Sequence, residues 1–247
     1  MRKNYQRTLK ACYLGFITQA IAANFAPLLF LKFHTDYGIS LGRVALISTA
    51  FYFTQLVVDV FCVRFVDKIG YRRSVVASEV ASVLGLVGLA FIPDLCADPF
   101  AGIIACVIVY AVGSGLIEVL CSPIVEACPF EHKEAVMSLL HSFYCWGQAG
   151  VVLLSALFFR FAGIGNWKLL AVLWAILPVC NGFCFRSVPI APLVAPDEER
   201  IRPRTLLKSR TAVLDVFHQH FICHDPGKRL RCGHGISLQS SFWYIVL

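Results

Sequence analysis

Between Ala11 and Phe185 the chain repeats one pattern six times: an apolar stretch of about 18 to 25 residues, then a short break rich in Gly, Pro or charge. At ~1.5 Å rise per residue, such stretches match a hydrocarbon core roughly 30 Å thick. Composition agrees: 58% of residues are apolar and 15% charged, where soluble domains carry about 25% charged. The expected spans are Ala11–Phe33, Val44–Val63, Ser74–Ile92, Phe100–Cys121, Ala135–Phe159 and Trp167–Phe185. They are predicted to be helices, because backbone polar groups in lipid need internal partners and the runs lack the alternation of barrel strands. A soluble helical bundle is disfavoured, since its helices would keep a polar face. The basic Met1–Lys10 segment precedes an apolar run about twice as long as a signal-peptide core. That run carries Gln19, Asn24 and Pro27 and lacks a small-residue cleavage site, so it reads as a retained first helix.

Orientation follows from the basic residues between spans. Fifteen Lys and Arg lie in Met1–Lys10 and in segments 64–73, 122–134 and 186–210, against Lys32, Arg43, Arg160 and Lys168 on the other side. Both ends of the six-helix unit are therefore expected in the cytoplasm, in a plasma or inner membrane. The net charge of +7 is a topology signal that also suits anionic lipid beside Arg72 and Arg73, and it gives no reason to expect nucleic-acid binding. The 11 cysteines lie mostly within or beside apolar spans and read as small apolar fillers. Cys96, in a short exofacial loop, is the one expected to meet an oxidising compartment.

The break after the second span reads Arg64-Phe65-Val66-Asp67-Lys68-Ile69-Gly70-Tyr71-Arg72-Arg73. An acid ending one helix, a Gly for a tight turn and a basic pair opening the next make a charge-rich latch. Asp67, Lys68, Gly70, Arg72 and Arg73 match the G-x-x-x-D-[RK]-x-G-x-[RK]-[RK] signature of the major facilitator superfamily, which the chain resembles; Val63 stands where that family has Gly.

A second stretch runs from Gly113 to Gly147 and places Glu118 inside the fourth span. An ionisable group in a bilayer costs about 2.5 to 3.5 kcal/mol or more, so it faces protein or a water-filled path. Gly115, Glu118 and Pro123 resemble the fourth helix of the fucose-permease and sugar:proton symporter branch, although Ser122 replaces the Asn that commonly precedes the Pro. The resemblance implies proton coupling and sugar binding at Glu118. Asn24-Phe25-Ala26-Pro27 carries no carboxylate where members of that branch have an acid in helix one. The His141–Gly147 segment, at the expected cytoplasmic start of helix five, fits the branch by placing polar and aromatic residues where a sugar path begins.

Gln55 and Asp59 are one turn apart on one face, suited either to lining a cavity together or to bonding a neighbouring helix; Asp59 is expected to be structural or gating. Gln19 and Asn24 are candidates for contacting a hydroxylated ligand. Glu79 is expected to pair with a loop Arg, and Glu126 and Glu131 to lie in a solvated turn. Tyr144 and Trp146 read either as platforms for a sugar ring or as interfacial anchors.

The fold expected is an all-α membrane protein, the six-helix N-terminal half of a twelve-helix major facilitator fold. Residues 1–186 would form two inverted three-helix repeats, and residues 187–210 a cytoplasmic central-loop segment. The resemblance implies alternating access, a small polar solute such as a sugar bound between two halves, and a proton carried by Glu118. Residues 211–247 contain no apolar run long enough for a seventh helix, and four of the seven His fall there. His218, His220, Cys223, Cys232 and His234 could offer zinc donors but lack the paired spacing of a finger, so no metal site is assigned. The tail is expected to be disordered or out of frame in a chain that has lost its second half. Such a chain would act as a dimer of halves, pair with another half, or not transport. No nucleophile–base pair, phosphate loop or cofactor fingerprint is present in the sequence, so neither catalytic residues nor a cofactor are expected.

Overall fold

Apolar length fixes where the helices cross, and the residues at their ends fix where they stop. The computed structural model describes residues 5–191, apart from the side chains of Val63, Arg64 and Asp67. The segment from residue 192 to 210 and the 211–247 tail with its zinc candidates lie outside the described residues.

Helix α1 spans Tyr5–Leu28, α2 Phe30–Tyr37, α3 Leu41–Ile69, α4 Tyr71–Leu95, α5 Pro99–Glu126, α6 Lys133–Ala162 and α7 Trp167–Ser187. All but α2 are long and apolar enough to cross a membrane, which makes six spans among the described residues. The first expected span is corrected. Its apolar run continues to Phe33, but Pro27 lacks an N–H and crowds the carbonyl four residues back. The helix ends at Leu28, and the short α2 follows a break at Leu29. Several spans also extend beyond their apolar cores, because the backbone goes on winding once the side chains become polar. Glu126, expected in a turn, is the last residue of α5, and its carbonyl accepts from Lys133 Nζ at 2.8 Å.

The turns are short and chemically specific. Gly70 alone separates α3 from α4, with a φ of 90° that L side chains avoid. Asp98 caps α5 by accepting from the Phe100 N–H at 3.1 Å, and Pro99 supplies the first helical residue.

Helix α4 packs on α5 and α7, α1 on α5, α6 and α7, and α3 on α5. The α4–α5 crossing is closest at two glycines. A Cβ on Gly113 would lie 2.4 Å from Ser82 Oγ and 2.5 Å from Ser78 O, and one on Gly85 would lie 2.6 Å from Tyr110 N. Small residues of this kind let helix backbones touch inside a bilayer. By contrast, only 17% of the apolar window of α3, and the same share of α6, is buried. Phe53, Phe61, Leu153 and Leu157 stand on their outward faces.

The buried side chains form two apolar clusters, one around Phe25, Phe33, Leu89, Tyr110 and Trp167, the other around Cys12, Phe16, Ile117, Leu120 and Phe185. Helices α1, α3, α4, α5 and α7 also carry polar residues inside their apolar runs: Gln19, Gln55, Asp59, Glu79, Ser114, Glu118 and Asn181. Together they make up the polar layer of the bundle.

Ion pairs knit the end that holds Tyr37 and Asp94. Arg43 Nη2 lies 2.7 Å from Asp98 Oδ2 with its guanidinium 4.2 Å from the Phe100 ring centroid. Lys168 pairs with Asp94, which also accepts from Tyr37 Oη at 2.7 Å. Burial and this hydrogen bond push the Tyr37 hydroxyl well above its usual range.

Candidate functional site

Three glycine crossings bring the polar layer together. A Cβ on Gly115 of α5 would lie 3.0 Å from Val58 and 3.4 Å from the Gln55 carbonyl, so α3 approaches beside Glu118. Gly15 holds α1 close to Ile117 and Cys121 of α5, and Gly147 holds α6 against Ile17 and Ala20 of α1. The result is a cavity of about 450 Å³ between α1, α3, α5 and α6. Its wall comprises Phe16 and Gln19, then Tyr52, Gln55, Leu56 and Asp59, then Glu118, then His141, Tyr144 and Cys145.

Glu118 is the hub. Gln19 Nε2 donates to its Oε2 at 2.9 Å, and Gln55 Nε2 donates to the same oxygen. One carboxyl thus ties α1, α3 and α5 through two amides. Gln19 Oε1 and Asp59 Oδ1 are buried acceptors without a hydrogen-bond partner. Buried acceptors left in that state favour any arriving donor, because their desolvation is already spent. The Phe16 ring meets His141 edge-on at 5.4 Å between centroids and Tyr144 at 6.4 Å, giving the cavity an aromatic side.

The structure therefore gathers Gln19, Gln55, Asp59, Glu118 and His141 around one space. Helix α6 begins at Lys133, so His141 lies about 12 Å along it rather than at its start. Asn24 is elsewhere: its Nδ2 donates to the Ala20 carbonyl of its own helix at 2.8 Å. Trp146 is 63% exposed and packs on Phe143, away from the cavity. Phe16, Tyr52, Leu56 and Cys145 are wall residues that polarity alone did not flag. Helical spacing was the available signal, since Tyr52 precedes Gln55 by three positions, Phe16 precedes Gln19 by three and Cys145 follows His141 by four.

The latch residues stand apart from the cavity. Lys68 and Arg73 are exposed, Gly70 makes the turn, and the Asp67 side chain lies outside the described residues. Arg72 forks onto the end of α7, donating from Nη1 to the carbonyls of Phe185 at 2.9 Å and Arg186 at 2.8 Å, and from Nη2 to that of Val188 at 2.7 Å. It thereby satisfies carbonyls that a helix end leaves open. Thr8 adds a bond to the Pro189 carbonyl at 2.6 Å.

The expectation for Glu79 is corrected. It lies eight residues into α4, about 12 Å from its start and out of reach of a loop arginine. Its Oε1 accepts from Asn181 Nδ2 at 2.7 Å instead. Among the described residues no group of three or more His, Cys, Asp and Glu is placed to hold a metal ion.

The sequence profile of the Major Facilitator Superfamily matches residues 11–246. The chain belongs to this superfamily. It is a multi-pass membrane protein of that class. Among solved structures, 27 chains match this Major Facilitator Superfamily member. One is the crystal structure of a D-xylose-proton symporter, with a TM-score of 0.62 and 16% sequence identity, covering 87% of this chain and 52% of the symporter. At that identity the likeness is one of fold, and the chain spans about half the symporter's length. No curated protein sequence matches the chain.

Proposed function

We propose that this chain is the solute-binding six-helix unit of a transporter that moves a sugar or similar small polar solute together with a proton by alternating access. The observation that carries the reading is the convergence of Gln19 and Gln55 amides on the single carboxyl of Glu118 inside a lipid-embedded bundle. A carboxyl so placed responds to water and ligand entering the cavity. Gln19 Oε1 and Asp59 Oδ1 offer unpaired acceptors to hydroxyl donors, and Tyr144 and His141 offer ring faces and edges to the carbons between them. The fold likeness to a D-xylose-proton symporter supports the same substrate class.

In this reading Glu118 binds the proton and a solute hydroxyl, while Gln19, Gln55 and His141 line the solute path. Asp59 gates it, and Asp67, Lys68, Gly70, Arg72 and Arg73 hold the cytoplasmic turn. The N-terminus faces the cytoplasm across a plasma or inner membrane, as its basic flanks direct. Tyr52 and Leu56 line the cavity while 58% exposed. The cavity thus opens beside the outward faces of α3 and α6, where a second six-helix half would close it.

The test is uptake of a panel of hexoses and pentoses into vesicles with and without an inward proton gradient. The unit is supplied alone and with a second half. Gradient-driven uptake abolished by Glu118→Gln supports the reading. Uptake indifferent to both the gradient and Glu118→Gln refutes it, and favours a membrane interaction partner that does not transport.

A further inference from the structure

Glu79 is 1% exposed and Asn181 is fully buried, and they meet between α4 and α7, on residues that do not line the cavity. Both amide hydrogens of Asn181 are engaged, one with Glu79 Oε1 at 2.7 Å and the other with the Ala11 carbonyl of α1 at 3.1 Å. Two acceptors remain without a partner, Glu79 Oε2 and Asn181 Oδ1. Among the described residues no positive charge stands beside them, and no free donor reaches Glu79 Oε2. Thr18 of α1 faces the carboxyl, but its hydroxyl donates to the Leu14 carbonyl at 3.2 Å. The titratable neighbours are the buried thiols of Cys12 on α1 and Cys121 on α5. Among the described residues no ion pair includes Glu79, and the bases at the ends of α4 and α7 are committed elsewhere or exposed.

A carboxylate buried between membrane-spanning helices with no cation beside it is disfavoured, and so are two adjacent orphaned acceptors. One proton removes both problems. It neutralises the carboxyl and turns Oε2 from an acceptor into a donor, with Asn181 Oδ1 and Thr18 Oγ1 as acceptors on the groups already facing it. We infer that Glu79 is a second proton-binding site, distinct from the cavity, in which a neutral carboxyl is paired with the Asn181 amide and locks α4 to α7 and α1. The site does not depend on the transport reading, because it is defined by burial and hydrogen-bond partners alone.

The experiment is infrared spectroscopy of the purified chain in lipid nanodiscs at neutral pH, exchanged between H2O and D2O. A protonated-carboxyl stretch that shifts in D2O, persists in both NaCl and choline chloride, and disappears in Glu79→Gln is the expected result. Asn181→Ala should move that band to higher frequency by removing a hydrogen bond to its carbonyl oxygen. If Glu79→Gln does not fold, the Asp59→Asn/Glu118→Gln variant serves in its place, because the band must survive there without the cavity acids. The inference is overturned if no band depends on Glu79, if the band is lost in the cavity double variant, or if sodium chloride abolishes it. The last result would assign the site to a sodium ion.

Discussion

Replacing Gly113 by Ala should separate α4 from α5 at the crossing that supports the polar layer. The added Cβ would stand 2.4 Å from Ser82 Oγ, 2.5 Å from Ser78 O and 2.9 Å from Ser82 N. The Ser82 hydroxyl can rotate away, but the other two atoms are backbone, so relief requires the helices to move apart toward the ~3.5 Å of an ordinary contact. Overpacking of this kind costs about 1–3 kcal/mol. Gly150, on α6, has nothing within 4 Å of its added Cβ, so Gly150→Ala gains the same ~1 kcal/mol of helix propensity without the clash. The difference between the two variants isolates the crossing. At roughly 2–4 °C per kcal/mol for a chain of this size, Gly113→Ala should melt about 2–12 °C below Gly150→Ala in detergent. Gly85→Ala, which meets Tyr110 N at 2.6 Å from the other side, should behave like Gly113→Ala. Equal melting of Gly113→Ala and Gly150→Ala would refute the packing argument.

Arg72→Ala removes three charge-assisted bonds to the end of α7. In an exposed setting this should cost about 1–2 kcal/mol locally, seen as faster amide exchange at residues 185–191; Arg72→Lys should restore little of it, because an ammonium lacks the guanidinium fork. The Arg43 guanidinium holds the Asp98 carboxyl below the usual carboxylate range. A group whose folded-state pKa is depressed contributes stability above its unfolded pKa, about 3.9, and loses it as the pH falls through the lower folded value. The melting-temperature advantage of the native chain over Asp98→Asn should therefore be present at pH 7 and decline as the pH falls below about 4; an advantage unchanged by acid would remove the ion pair from the account.

Much of the architecture was legible in the chain. Apolar length marks each crossing, because a bilayer core demands a fixed number of helical residues. Gly70, with a basic pair after it, marks the turn between α3 and α4. Glu118 announces itself because a carboxyl inside a span needs a partner or a path. The break after Pro27 was harder to see, since the apolar run continues past it and hides the lost backbone bond. Gln55 and Asp59 reached the cavity together because four residues make roughly one turn. Asn24, equally polar, did not, because its own helix offered the Ala20 carbonyl at 2.8 Å.

What the sequence determines by itself is local: helix length, turn chemistry, flanking charge and the presence of carboxyls at membrane depth. Which polar groups meet is decided only in three dimensions. Glu79 and Asn181 are 102 positions apart and Gln19 and Glu118 are 99 apart, and no periodicity spans such distances. Their meeting depends on glycines that set how closely, and at what height, one helix crosses the next. That is a property of packed surfaces, and a list of residues does not contain it until the surfaces touch.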